Sequence, residues 1–216
     1  MGKEVYFKAG KNSLRVRKRL LNYFFNNYNV TFKTIADIGA GDLQTATLLH
    51  HGGCKVTAYD IAKQQNKFIK SKYIDLNKNW NIRKRFDYVI STAVIEHCEN
   101  PYFFMRQAYK ITKNRGICII STHDIDYHWS KILFMFQNYF YGFHPVIDNL
   151  KHGYHGHINP MNEGLLKVAG QKAGFKVIDV FFANPNLKLL PFIKPFDNVP
   201  NWKYLSQDVF VVFKKQ

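Results

Sequence analysis

The run Thr34-Ile35-Ala36-Asp37-Ile38-Gly39-Ala40-Gly41 constrains this chain more than any other stretch. A short apolar strand enters a glycine-spaced turn, and Leu43 to His50 follows as a helix ended by Gly52-Gly53. A strand that runs into Asp-x-Gly-x-Gly and then a helix exposes backbone N–H groups at the carboxyl edge of a sheet. Gly39 and Gly41 let a ligand come close to that backbone, because neither carries a Cβ.

The same beat recurs downstream. Lys55 to Tyr59 is a second strand ending in Asp60, and Tyr73-Ile74 is a short one ending at Asp75. Phe86 to Ser91 is a strong strand, followed by a helix from Pro101 to Thr112. Gly116 to Thr122 is the fifth strand, after a turn at Asn114-Arg115-Gly116. Asn162 to Ala173 is a helix, and Phe175 to Phe182 and Asp208 to Phe213 are the last two strands. Residues 1–30 contribute an amphipathic helix over Ser13 to Asn26. Alternating strands and helices predict an α/β fold, a mostly parallel sheet with helices on both faces. With 216 residues, the expectation is one domain over 1–216. One stretch breaks the rhythm. Residues 123–160, aromatic and histidine-rich, follow the fifth strand at the edge where such sheets bind ligands, and read as a lid.

Asp60 stands about 20 residues after the glycine loop, where an acid can hydrogen-bond ribose hydroxyls. That pattern alone suits a nicotinamide cofactor equally. Three details favour S-adenosylmethionine. Gln44 replaces the third glycine that would serve a diphosphate; Asp37 precedes the loop, where it suits a cationic amino-acid end; and Asp75 ends a third strand, where it can hold an adenine amino group.

The runs IADIGAGDLQTATLL, AYDI, YIDL, FDYVISTAVIEHCENP, RGICIIST and HINPMNEGLLKVAGQKAGFKV resemble successive motifs of class I S-adenosylmethionine-dependent methyltransferases. The likeness covers Ile35 to Val180 and is closest to the subgroup holding ubiquinone-biosynthesis and other small-molecule O-methyltransferases. It implies a Rossmann-like seven-stranded sheet with an antiparallel last strand. It implies S-adenosylmethionine as cofactor and S-adenosylhomocysteine as product. Asp37, Gly39, Ala40 and Gly41 would surround the methionine part. Asp60 would bind the ribose with Ile61 beside the adenine, Asp75 and Leu76 would hold and cover the adenine, and Ser91 and Ala93 would line the strand end near the sulfonium. Leu43 departs from the pattern, standing where many relatives have a further glycine.

His97, after the fourth strand, is the first candidate general base, and His123 the second. Tyr127, Trp129, His155 and His157 are candidate acceptor-binding residues on the lid, whose aromatic stripe also takes in Ile132, Leu133, Phe136 and Phe140. Glu96 and His97 with His155 or His157 offer a possible ligand set, but the metal-dependent small RNA methyltransferases that resemble this region carry a Glu at the position of Ala93, so no metal is expected. Asn100-Pro101-Tyr102 comes too late and has one proline too few for the motif of amino-group DNA methyltransferases, which favours an oxygen acceptor.

A formal net charge of +16 points to an anionic partner: nucleic acid, an anionic membrane surface or a phosphorylated substrate. The functional expectation is O-methylation of a small or glycan-like, anionic acceptor; the alternatives are an RNA-modifying methyltransferase and a non-catalytic partner subunit that keeps the fold. The longest apolar run, Ile132 to Phe136, is too short to span a membrane, the N-terminus has no apolar signal segment, and Cys54, Cys98 and Cys118 show no metal spacing. A cytoplasmic protein with reduced thiols is expected.

Overall fold

A computed structural model describes residues 11–62, 64, 66–143, 156–185 and 203–216. In chain order the elements are α1 (Lys11–Asn27), β1 (Thr34–Ile38), α2 (Gln44–His51), β2 (Lys55–Asp60), β3 (Lys70–Tyr73), β4 (Phe86–Thr92), α3 (Pro101–Ile111), β5 (Thr112–His123), α4 (His128–Gln137), α5 (Glu163–Lys172), β6 (Phe175–Pro185) and β7 (Ser206–Lys215). The strands form one seven-stranded sheet in the order β3-β2-β1-β4-β5-β7-β6. β1 is parallel to β2 and β4, β2 to β3, and β4 to β5. β7 runs antiparallel between β5 and β6. This is the seven-stranded Rossmann-like sheet expected, with its last strand reversed.

Period-two alternation sends neighbouring side chains to opposite faces. Cys118 and Ile120 of β5 join a core on one face with Phe104, Met105 and Ala108 of α3 and Leu166 of α5. Ile117 and Ile119 join the other core, with Leu20 and Phe24 of α1 and Ala46 and Leu49 of α2. Phe24 packs edge-on against Tyr88 of β4 at 4.8 Å between ring centres, and Tyr23 stacks on Phe181 of β6 at 4.1 Å. Each fully buried phenylalanine of this kind contributes roughly 1.5–3 kcal/mol.

Local signals set the helix ends. The Asn100 side chain accepts the Phe103 N–H at 2.9 Å and Pro101 opens α3, a pairing whose physics favours a helix start. Asn162 caps α5 in the same way through the Leu165 N–H. In α5, Gly170 lets the helix lie directly on the Phe213 ring, since a Cβ there would meet ring carbon at 2.1 Å.

Two strands differ from the sequence reading. β3 lies at Lys70–Tyr73, so Asp75 falls two residues past its end, in a loop. A polar edge strand has no apolar alternation by which to be found. β5 starts at Thr112 directly after α3, and the turn expected at Asn114-Arg115-Gly116 is a bulge within it. Phe86 pairs with Thr112 but Tyr88 pairs with Ile117, and Arg115 takes a left-handed φ of 63°.

The insertion after β5 is closed at its base. The Asp124 N–H donates to Gln207 O at 2.8 Å, the Ile125 N–H to Met161 O at 3.0 Å, and Asp124 and Met161 form a parallel bridge. α4 turns Tyr127 and Ser130 inward, whereas Phe134, Met135 and Phe136 are 45%, 76% and 80% exposed. Phe136, a member of the sequence-derived aromatic stripe, lies on the outer side. Among the described residues, no helix is long and apolar enough to cross a membrane.

Candidate active site

The strand order reverses between β1 and β4, and a crevice opens outside the carboxyl ends of strands at such a point. Here it is a pocket of about 290 Å³. One side is the glycine loop, Asp37, Gly39, Ala40 and Gly41; Val16 and Arg17 of α1 close another. Thr92, Ala93 and Val94 at the end of β4, together with His123 and Asp208, form the far wall.

The loop is shaped by backbone geometry. Gly39 has φ +71°, and a Cβ there would lie 2.4 Å from a Val94 methyl. Gly41 has φ +51° and nothing within 4 Å of where its Cβ would be, so its absent side chain is open space at the pocket. Leu43, the departure from the family pattern, takes the left-handed φ of 60° that a glycine would supply. Its side chain is 2% exposed in the core beside Ala46 and Leu49, so burial offsets the conformational cost.

Three charged side chains surround the loop. Asp60 Oδ2 accepts the Gly41 N–H at 2.8 Å and Oδ1 accepts the Ala62 N–H at 2.8 Å. Each oxygen keeps a second lone pair for a ligand hydroxyl. Asp37 is buried, and its Oδ2 has no hydrogen-bond partner. Burial, then the charge of Asp60, pushes its carboxyl up to about 7, against the pull of Arg17. Arg17 donates to Asp42 at 2.8 Å and to Gln44 at 2.6 Å, which ties α1 to the start of α2.

At the β4 end, Ser91 is fully buried and donates to Ile38 O at 2.8 Å, so it staples β4 to β1 while its neighbours Thr92 and Ala93 face the pocket. The chain then makes a short 3-10 turn, Ile95–His97. Glu96 in it is completely buried, with Oε1 3.3 Å from His123 Nδ1; Asp208 Oδ1 lies 3.3 Å from the same nitrogen. Burial opposes charge on His123, but Asp208 and Glu96 carry its imidazole up to about 9. Burial alone would raise the Glu96 carboxyl, yet His123 and the charges of His157 and His97 hold it low. His157 is pushed down to about 4 by burial and by His123. Its ring sits 4.6 Å from those of both His97 and His123.

The sequence-derived site is therefore brought together in part. Asp37, Gly39, Ala40, Gly41, Ala93 and His123 line one pocket, with Asp60 hydrogen-bonded to its loop. His97 stands behind the wall, against His157, and the candidate ligand set Glu96–His97–His157 becomes Glu96–His123–His157. Ile61 is 58% exposed at the end of β2. Asp75 is turned to Lys78 at 2.9 Å and to the Asn77 N–H, which hold its carboxyl low, and Leu76 packs on the core. Tyr127 is 1% exposed, a core residue rather than a pocket wall, and Trp129 is half-buried; neither lines the pocket. His155 lies outside the described residues.

Arg17, Val94 and Asp208 were not anticipated. Arg17 was legible only as one of several basic residues of α1. Asp208 had a signal: an antiparallel strand begins at the edge where parallel strands end, so the first residues of β7 meet the ends of β4 and β5.

A family model described as a methyltransferase domain matches residues 10–180. A ubiquinone biosynthesis O-methyltransferase from Rickettsia bellii is 34% identical over 127 residues, 50% of this chain and 51% of that protein. The chain spans about half the length of the curated relatives it matches. Among solved structures, an S-adenosylmethionine-dependent methyltransferase from Archaeoglobus fulgidus superposes with a TM-score of 0.68 at 19% identity, covering 95% of each chain. Magnesium protoporphyrin IX methyltransferase from Synechocystis, solved with bound S-adenosylhomocysteine, gives 0.63 at 10% identity, covering 97% of this chain and 89% of its own.

Proposed function

The chain belongs to the methyltransferase-domain family, of the class I S-adenosylmethionine-dependent kind, and on that footing we propose that it O-methylates a small or glycan-like, anionic acceptor. The observation that carries this reading is one pocket with the Asp37–Gly41 loop on one side and His123 on the other.

The residues present fit the cofactor. The unpartnered, buried Asp37 Oδ2 suits a cationic ammonium group, and the open space over Gly41 suits a ligand lying against the loop. Arg17 is the complementary cation for a carboxylate, and Asp60 can accept from ribose hydroxyls. When bound, S-adenosylmethionine supplies a methyl group on a sulfonium.

The chain's own part is mainly to align and to exclude water. Alignment of two reactants can supply roughly 7–11 kcal/mol of a barrier, against a factor of about 10²–10⁴ from a general base. Thr92, Ala93 and Val94 set the floor against which the acceptor meets the methyl group. His123 is the polar group at that wall. With Nδ1 facing Glu96 and Asp208, the opposite nitrogen is the one available to an acceptor oxygen. The partial likeness to an O-methyltransferase supports an oxygen acceptor.

Calorimetry with S-adenosylmethionine, followed by S-adenosylhomocysteine release over phenolic, glycan and phosphorylated hydroxyl acceptors and their amine analogues, tests the reading. The expected result is cofactor binding and turnover confined to hydroxyl acceptors. Preferential turnover of amines, or no cofactor binding, overturns it. The net charge of +16 supports a second reading, methylation of RNA. Methyl incorporation into RNA that falls steeply with salt would favour that reading instead.

A further inference from the structure

Glu96, His123 and His157 come from three segments and meet behind the pocket wall. Each presents a ligand atom, and these atoms all lie within 4.8 Å of one another. The arrangement is anchored: the backbone carbonyl of Glu96 accepts the N–H groups of Ile158 at 2.9 Å and Asn159 at 3.0 Å, which fixes His157 beside the Glu96 carboxylate. The Asn159 side chain also donates to Cys98 O. Gly142 keeps the backbone clear of two of the rings. A Cβ there would stand 3.2 Å from His157 Nδ1 and 3.5 Å from His123 Cδ2.

Glu96 is completely buried, and its Oε2 accepts no hydrogen bond. A buried carboxylate needs compensation for its lost hydration, and His123, 3.3 Å from Oε1, leaves Oε2 without a partner. The 3.3 Å between Glu96 Oε1 and His123 Nδ1 is long for a charge-assisted hydrogen bond, which spans about 2.7–2.9 Å. It matches the edge between two donors on one tetrahedral ion, about 3.4 Å for bonds of about 2.0–2.1 Å.

We propose that Glu96, His123 and His157 form a binding site for a divalent transition-metal ion, zinc or a first-row neighbour. Two imidazoles and one carboxylate select such ions over magnesium or calcium, which favour all-oxygen sets. Three protein donors leave a coordination position over for water or a further ligand. The site does not depend on the methyl-transfer reading.

The test titrates the full, chelator-treated chain with Co²⁺ alone, reading visible d–d absorption and calorimetric stoichiometry. One ion per chain is expected, bound at least tenfold more weakly by Glu96→Gln and by His157→Ala, and unchanged in His51→Ala, whose ring is exposed on α2. Circular dichroism and thermal melting identify which variants are folded, and His157→Gln stands in for any that is not. Absence of stoichiometric binding overturns the proposal, as does a folded Glu96→Gln chain that binds Co²⁺ like the parent. S-adenosylmethionine binding by the same metal-free protein, measured in parallel, separates failure of this site from failure of the methyltransferase reading.

Discussion

The Asp60 carboxylate at the end of β2 accepts the backbone N–H of Gly41 at 2.8 Å, tying one strand end to the glycine loop that follows the neighbouring strand. The acid expected to read a ribose thus also holds the loop on which the ribose would lie. Asp60→Asn keeps the size but offers only one acceptor oxygen for the Gly41 and Ala62 N–H groups. Cofactor affinity should fall at least tenfold, with a stability loss of about 1 kcal/mol for one hydrogen bond. Calorimetry and thermal melting on the same variant check both numbers, and unchanged affinity would remove Asp60 from the site.

The two loop glycines should respond differently to alanine. At Gly39 the added Cβ meets Val94 at 2.4 Å on top of a left-handed φ. Overpacking of this kind costs about 1–3 kcal/mol, so both fold and binding suffer. At Gly41 the Cβ meets nothing, and only the left-handed conformation, about 1 kcal/mol, weighs on the fold. Gly41→Ala should therefore melt close to the parent yet bind S-adenosylmethionine at least tenfold more weakly, because the methyl group occupies ligand space. Equal losses of stability in the two variants would contradict this geometry.

On the proposed reading, Asp37 should make cofactor binding depend on pH. Its carboxyl is raised to about 7 by burial and Asp60, so in the ligand-free protein it holds a proton below that pH. A bound ammonium group favours the ionised form, and binding below pH 7 must expel the proton. Affinity should rise with pH, by up to tenfold per unit, and level off above about 7. The same raised value means that this group removes native stability as pH climbs from the ordinary carboxylate range to about 7. Asp37→Asn should flatten both trends and weaken binding. Arg17→Ala removes a cation that lowers the Asp37 value, so the affinity rise should move to higher pH.

Asp87 carries acid sensitivity of the fold. Its carboxylate accepts from Thr34 N at 2.9 Å, Thr34 Oγ1 at 2.6 Å and Lys113 Nζ at 2.9 Å, joining the starts of β1, β4 and β5. Those partners outweigh burial and hold its carboxyl far below the usual range. A depressed carboxylate contributes stability above its unfolded value, about 3.9, and loses it as pH falls further. Asp87→Asn should cost about 2 kcal/mol at neutral pH, roughly 4–8 °C in Tm for a chain of this size, and the gap to the parent should shrink toward pH 2. A gap constant with pH would assign the loss to packing instead.

Much of the frame was legible because its causes are local. The β1 turn announces itself through glycines at positions where the backbone takes positive φ, and α3 and α5 through Asn residues whose side chains cap the third N–H. β3 was misplaced because Lys70, Lys72 and Tyr73 are exposed at a sheet edge and carry no apolar alternation. Aromatic residues surround α4 on all sides, so periodicity leaves open which of them face in; burial assigns Tyr127 inward and Phe136 outward.

The sequence by itself determined the sheet class and the glycine loop, since both depend on φ preferences, side-chain period and spacing within some twenty residues. Tertiary structure decided the chemistry of the far wall. Glu96, His123, His157 and Asp208 are up to 112 residues apart in sequence, yet Glu96 and Asp208 lie 3.3 Å from one imidazole nitrogen. Nothing along the chain ranks His123 above His97 as the residue that meets the pocket. That choice follows from which strand neighbours which, and the energy behind it is the burial of two cores on opposite faces of one sheet.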